Sequence, residues 1–552
     1  MNIEELIENT LSDDESFWNS RVADGESLDS IRAEYSLDVP IHPYCIFYES
    51  MSGAKVMDSP LAIYRDMINN EEYRNYWHIW SARSADIVPR EVSDNPRTIT
   101  VKRNTRAYCY FLARSKYLIS NSVFQKGFVR RKEQKYLNTW HGIAYKALGR
   151  GPENVLGAAE SVYNLLQATH VLTPCEYMTT LELDRFSLRH AHSGQIAELG
   201  YPRIDMQLGM TEYKTDLLME EIGLEQSRKT VLYAPTWRGS SGRSKFDAER
   251  LKTDLKIMSS TGANVLFLAH HMMLRHIRGA DFENVIVPPE HIPTNELIAL
   301  SDILVTDYSS IFFDFLNTSR PIVHYIYDYD EYSKERSVLL GLHELPGHLI
   351  ANQDYLKPLL ANLLQSPGIP GHNYREARSS FCAHDDGRAA RRTVDWFFQD
   401  HVDADADRSQ CSKESVLYWG GRLDSSGKAL EFLERVNQAA KESIGGVVLL
   451  LAHSVKSDKK LLGAISKLDP NVSIVARNDH EMTMTSLESE ARRLRRQGLS
   501  SSSIDADKVT MLVDRMYERE YRRIFGDSKF SKVVMYEGIS PFWRNLAKFA
   551  SL

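Results

Sequence analysis

The sequence predicts an α/β protein with two Rossmann-like lobes facing a cleft, preceded by a helical extension and followed by half of a further unit of the same kind. Three observations predict it. Short apolar runs of strand length alternate with helix-length segments from Cys45 onward, the pattern of parallel strands covered on both faces. The alternation comes as two blocks in series, the second opening after the turn at Gly200 to Asp205, and paired blocks of this kind receive ligands beyond the carboxyl ends of their strands. At 552 residues the chain is longer than one hydrophobic core fills, so three or so domains are expected.

Punctuation along the chain sets the expected boundaries. Residues 1–40 read as a polar helical extension ended by Pro40 and Pro43. Residues 41–205 read as the first lobe, with strands in CIFYES, YWHIWSA, KYLISNS and YLNTWHG and helices around Leu61 to Asn70 and Tyr108 to Ala113. Residues 206–400 read as the second lobe, with a helix near Thr211 to Ile222 and strands in TVLYAPT, NVLFLAH, DILVTD and PIVHYIY. Residues 401–414, rich in Asp and Ser, read as a linker. Residues 415–552 open a third α/β stretch with SVLYWGG, a helix through Ala429 to Lys441, GVVLLLAH and KVVMYEG. No repeat of 20–50 residues and no low-complexity tract beyond Ser500 to Ser503 is visible.

Composition excludes several classes. With 43% hydrophobic and 26% charged residues the chain reads as globular rather than disordered or fibrous. A net charge of -7 argues against a dedicated nucleic-acid binder, which needs basic surface. Five scattered cysteines without Cys-x-x-Cys spacing suggest neither a disulfide framework nor a zinc site and point to a reducing cytoplasm. The acidic start lacks a secretory signal, and no apolar run approaches the roughly 18 to 20 residues that cross a bilayer. Any membrane contact is therefore expected to be peripheral.

Four segments carry candidate chemistry. In TWHGIAYKALGR a strand delivers His141 and Gly142 to a strand-to-loop junction beside Trp140. An imidazole there can take a proton from an alcohol nucleophile, and Gly142 permits close backbone approach. A histidine packed under the loop is the alternative. In YAPTWRG, Arg238 follows Thr236 just past a strand end, where a guanidinium suits either a diphosphate or a structural salt bridge. In FLAHHMMLRH, His270 and His271 with Arg275 and His276 suit phosphate oxygens better than a metal, because no carboxylate is matched to them. In TDYSSIFFDF, Asp307, Ser309 and Ser310 open a helix whose free N–H groups and hydroxyls would favour an anion, or would simply be capped by a serine. The basic stretches Lys126 to Lys135 and Ala491 to Gln497 read as solvated faces or as sites for a polyanion or anionic lipid.

Taken in order, FYESMSGAKVMDSPLAIYRDM, YLISNS, NTWHG, GYPRID, YAPTWRG, TDYSSIFFDF, RPIVHYIYDYDEY and HELPG resemble the CDP-glycerol glycerophosphotransferase family, which includes teichoic acid primases and polymerases and related capsule polymerases. The resemblance spans about Cys45 to Phe398. It implies a GT-B fold and transfer of an alcohol-phosphate from CDP-glycerol or CDP-ribitol to a hydroxyl of a lipid-linked polyanionic polymer, releasing CMP, with no further cofactor and no metal. It implies His141 as general base and His270 as a second catalytic group, with Arg238, Ser309 and Ser310 around the donor diphosphate. Glu296 and Asp307 are weaker candidates for ribose or structural contacts, and Trp140, Gly142 and Thr236 complete the expected binding set. A cytoplasmic enzyme peripheral on the inner membrane face is implied, and homo-oligomerisation is a further expectation.

The chain departs from the family pattern where His141-Gly142-Ile143-Ala144 replaces His-Gly-Thr-Pro and where Gly239 replaces an acidic residue. The tail from about Ser415 resembles the first lobe of a further glycosyltransferase unit without its nucleotide-binding half, and is expected to be a non-catalytic appendage used for docking or oligomerisation. Transfer from a nucleotide-sugar on the same scaffold, or an idle scaffold in a polymer-assembly complex, are the competing readings.

Overall fold

The computed structural model describes residues 27–151, 154–236, 247–268, 273, 282–335, 337–408, 414–442, 445–478, 482–497 and 505–551. Three parallel sheets organise them. The first holds β1 (His42–Glu49), β2 (Trp77–Ser81), β3 (Thr98–Val101), β4 (Ser115–Ser120), β5 (Lys135–Asn138), β6 (His170–Thr173) and β7 (Gln195–Glu198), in the order β3-β2-β1-β4-β5-β6-β7. The second holds β8 (Thr230–Ala234), β9 (Asn264–Phe267), β10 (Val285–Ile286), β11 (Ile303–Thr306), β12 (Ile322–Tyr325) and β13 (His348–Ile350), in the order β10-β9-β8-β11-β12-β13. The third, β14 (Val416–Gly421), β15 (Val447–Ala452), β16 (Val472–Arg477) and β17 (Lys532–Met535), runs β16-β15-β14-β17.

The central strands are mostly apolar because both faces are covered. The last five residues of β1 and all of β8, β11 and β15 are buried. Each of the first two sheets reverses its strand order in the middle, between β1 and β4 and between β8 and β11, and it is at such reversals that a doubly wound sheet opens a crevice.

Helix boundaries follow local chemistry. Thr211 caps the helix Glu212–Ile222 by accepting from the Lys214 N–H, and Gly223, at φ +80°, closes it in the left-handed conformation. The expected helix around Leu61 to Asn70 runs Asp58–Ile68, and the one at Tyr108 to Ala113 runs Arg106–Arg114. Strands β3, β6 and β7 do not stand out as apolar runs because polar residues interrupt them, Thr98 and Thr100 in the first, His170 and Thr173 in the second, and Gln195 and Glu198 in the third.

Three expectations are corrected. The helix after Ser310 is only Ile311–Phe315, continued by a 3-10 turn, so its macrodipole is small and cannot by itself hold an anion. The described first part of the segment read as a linker, residues 401–408, lies along the edge of the first sheet: Glu198 N–H donates to Ala406 O at 2.9 Å and Arg408 N–H to Ile196 O at 2.8 Å. The basic stretch before β5 turns two of its cations inward. Arg130 is buried, donating to Gln167 O and Gln134 O and pairing with Asp527, and Arg131 donates to Val39 O and Ala113 O. Only Lys126, Lys132 and Glu133 remain exposed there.

The third sheet is built into the body of the molecule rather than appended to it. Its long helix Ala506–Phe525 packs on Ala159–Gln167 of the first lobe. Gln167 Nε2 donates to Arg523 O at 3.1 Å, Ser187 Oγ to Ile474 O at 2.8 Å and Ser528 Oγ to Ala191 O at 2.7 Å. Glu520, wholly buried, receives Arg477 at 2.7 Å and Arg523 at 2.8 Å. One apolar core runs through residues of all three sheets.

Candidate active site

The site is assembled at the carboxyl ends of β4 and β5, where an asparagine shapes each turn. Asn138, the last residue of β5, accepts the Trp140 N–H on its side-chain oxygen at 2.9 Å and donates to Ser122 O at 2.9 Å. This Asx turn holds Trp140 at φ +50°, and Gly142 follows at φ +148°, a backbone setting that glycine alone enters freely. Trp140 is buried against Phe186, with ring centroids 5.1 Å apart, and lies 4.6 Å from the His141 ring. It backs the imidazole and does not face the groove.

His141 itself is exposed. Its Nδ1 lies 3.0 Å from the backbone carbonyl of Asn121. A carbonyl can only accept, so Nδ1 carries the hydrogen and Nε2 keeps the lone pair. Surrounding protein lowers the pKa of the ring below its ordinary value, opposed by the Asn121 carbonyl and the Asp58 carboxylate and assisted by the Arg203 cation. The imidazole is therefore neutral near pH 7, with a basic nitrogen on an exposed ring.

The second lobe reaches this turn directly. A Cβ built on Gly142 would stand 3.7 Å from Ser310 Oγ and 3.4 Å from Arg203 Nη2. Ser310 is exposed and its hydroxyl caps nothing, while Ser309 Oγ accepts only a long contact from Ile311 N–H at 3.4 Å. The chain beyond Gly142 continues across the lobe boundary, where Leu339 N–H donates to Tyr145 O at 2.8 Å and Ala147 N–H to Ser337 O at 2.9 Å.

Other candidates are committed elsewhere. Glu296 is buried and held by Arg65 at 2.6 Å and Lys214 at 2.5 Å, so it ties the second lobe to the helix Asp58–Ile68 rather than facing a ribose. Asp307 is buried and accepts the Thr236 N–H at 2.9 Å, fastening the end of β8 to the end of β11. This leaves Thr236 as part of a latch at the crevice floor. Arg238, His270, His271, Arg275 and His276 lie outside the described residues. Sequence reasoning missed Asn121, Asn138, Asp58, Arg203 and Asp314. The Asn-x-x-His-Gly spacing was the available signal for Asn138, whereas the others meet only through folding. Among the described residues no group of three or more His, Cys, Asp or Glu is placed to hold a metal, and no helix is long and apolar enough to cross a membrane.

A family model described as CDP-Glycerol:Poly(glycerophosphate) glycerophosphotransferase matches residues 31–399. The chain belongs to that family. Among the glycerophosphotransferase relatives, the teichoic acid poly(glycerol phosphate) polymerase of Staphylococcus epidermidis is 29% identical over 388 residues, covering 65% of this chain and 51% of that protein. The teichoic acid glycerol-phosphate transferase of Staphylococcus aureus is 26% identical over 383 residues, covering 64% of this chain and 92% of its own length. The chain thus spans about half the length of the first relative, at 51%. The solved wall teichoic acid polymerase TagF superposes with a TM-score of 0.57 at 25% identity, over 67% of this chain and 93% of that one. The two lobes have the GT-B arrangement of that polymerase. The third sheet lies beyond the matched residues.

Proposed function

We propose that this chain transfers an alcohol-phosphate, glycerol-phosphate before ribitol-phosphate, from a CDP-alcohol to a hydroxyl of a teichoic-acid-like polymer. In this reading the acceptor O–H gives its proton to His141 Nε2 as its oxygen attacks the alcohol-bearing phosphorus. The bond from that phosphorus to CMP breaks, and CMP leaves. Phosphoryl transfer needs mainly positioning and charge neutralisation, which the Ser309 and Ser310 hydroxyls supply in part and which Arg238 and His270 are proposed to complete. The observation that carries the reading is the neutral, exposed His141 ring on a turn whose next residue, Gly142, lies beside Ser310 of the second lobe.

Names of relatives support the substrate class. The family description names CDP-glycerol and poly(glycerophosphate), and a TagF variant was soaked with CDPG. A polymer acceptor anchored in a lipid would bring the chain to the inner membrane face as a peripheral protein, and we propose that location. The test is CMP release by purified protein given a lipid-linked acceptor and either CDP-glycerol, CDP-ribitol or UDP-sugars. Turnover with a CDP-alcohol is expected. Turnover with a UDP-sugar alone would replace this reading by sugar transfer, and inactivity with every donor would favour a scaffold.

A further inference from the structure

Arg203 opens the helix Pro202–Leu208 and is almost wholly buried, with its guanidinium 4.4 Å above the Tyr201 ring. It meets two carboxylates from different lobes. Nη1 reaches Asp58 at 3.3 Å and Nη2 reaches Asp314 at 2.8 Å. Asp58 starts the helix Asp58–Ile68 from a left-handed backbone, φ +68°, a conformation that aspartate tolerates and most residues do not. Asp314 lies in the short helix behind Ser310 and is steadied by Asn295 Nδ2 at 3.1 Å. Burying three charges for stability alone is a poor arrangement, since apolar side chains would do as well, whereas a fixed ion triad specifies one geometry. Strain is likewise held in place where geometry matters.

We propose that Arg203 is a positioning residue of the transfer reaction, its planar fork locking Asp58 of the first lobe to Asp314 of the second so that the His141–Gly142 turn is set against Ser310. Its guanidinium passes within contact distance of the Gly142 Cα substituent position, 3.4 Å from an added Cβ, so the turn rests on the clamp. The inference rests on His141 as the base. A lysine could replace the charge but not the two-sided fork. Among the described residues, the charged groups whose fields reach the His141 ring are Asp58, which raises its pKa, and Arg203, which lowers it. The clamp therefore touches the base electrostatically as well as sterically.

Two variants of the full chain test this, read by titrating 13C-labelled histidine in the NMR spectrum, with the His141 signal assigned by its loss in His141→Asn, and by CMP release from CDP-glycerol. Asp58→Asn keeps a residue that accepts the left-handed backbone and should lower the His141 pKa by about half a unit or more, because the carboxylate that supports the imidazolium is gone. Arg203→Lys should cut kcat by about tenfold or more while leaving the donor KM within about twofold, the signature of lost alignment rather than lost binding. Wild-type kcat in Arg203→Lys together with an unmoved His141 titration in Asp58→Asn would overturn the proposal. If Arg203→Lys does not fold, the Asp58→Asn titration decides. Full turnover in His141→Asn would instead remove the base assignment, an outcome visible separately from the titration.

Discussion

The Nδ1 hydrogen of His141 is held by the backbone carbonyl of Asn121, 3.0 Å away, and this contact joins the ends of two adjacent strands, β4 and β5. It fixes both the tautomer and the direction of the ring. The residue is exposed, Trp140 packs against the ring, and the Asx turn at Asn138 sets the backbone that carries it.

A base so held should account for a large part of turnover. His141→Ala is expected to lower CMP release by about 10²- to 10⁴-fold, the usual range for a general base, with the folded spectrum intact because the side chain is exposed. The wild-type rate should fall in acid as Nε2 is protonated. Since the ring pKa lies below the ordinary 6.5, the fall should begin below that pH, and a kcat/KM profile checks it.

Gly142→Ala should damage both activity and stability. The position has φ +148°, and the new Cβ would press on Arg203 Nη2 at 3.4 Å. A cost of about 1–3 kcal/mol is expected for the strained backbone, read as a lower midpoint in urea, with a loss of turnover larger than that of a distant substitution of equal cost.

Glu296→Gln separates a structural carboxylate from a ribose ligand. Removing the charge shared by Arg65 and Lys214 should destabilise the chain by about 2 kcal/mol and leave the donor KM within about twofold. A donor KM raised tenfold with unchanged stability would assign Glu296 to the nucleotide instead.

Glu182 gives a pH dependence of stability. It is wholly buried, desolvation pushes its pKa up to about 8 from 4.5, and among the described residues neither carboxylate oxygen has a hydrogen-bond partner. The folded chain keeps a proton that the unfolded chain releases, so stability declines as pH rises from about 4.5 through about 8. Glu182→Gln should melt higher than wild type at pH 8.5 and lose most of that advantage at pH 5, which thermal melts at the two pH values measure.

The alternation of apolar runs made both lobes and the third sheet legible, because a parallel strand buried on two faces is apolar along most of its length. His141, Gly142 and Ser310 were legible for the same reason, since each follows directly on such a strand. Strands β3, β6 and β7 escaped notice because polar side chains such as Thr100, His170 and Gln195 dilute their apolar pattern.

What the sequence determined by itself is therefore local: the strand-ending turns, the caps at Thr211 and Gly223, and the ordered motifs that mark the family. What only the tertiary structure decided is which charges meet. Asp58, Arg203 and Asp314 are separated by more than a hundred residues at each step, 145 and 111, and Arg130 reads as surface charge until Asp527 arrives to bury it. Ion pairing depends on distance in space and on the exclusion of water, and neither quantity is written in the order of residues along the chain.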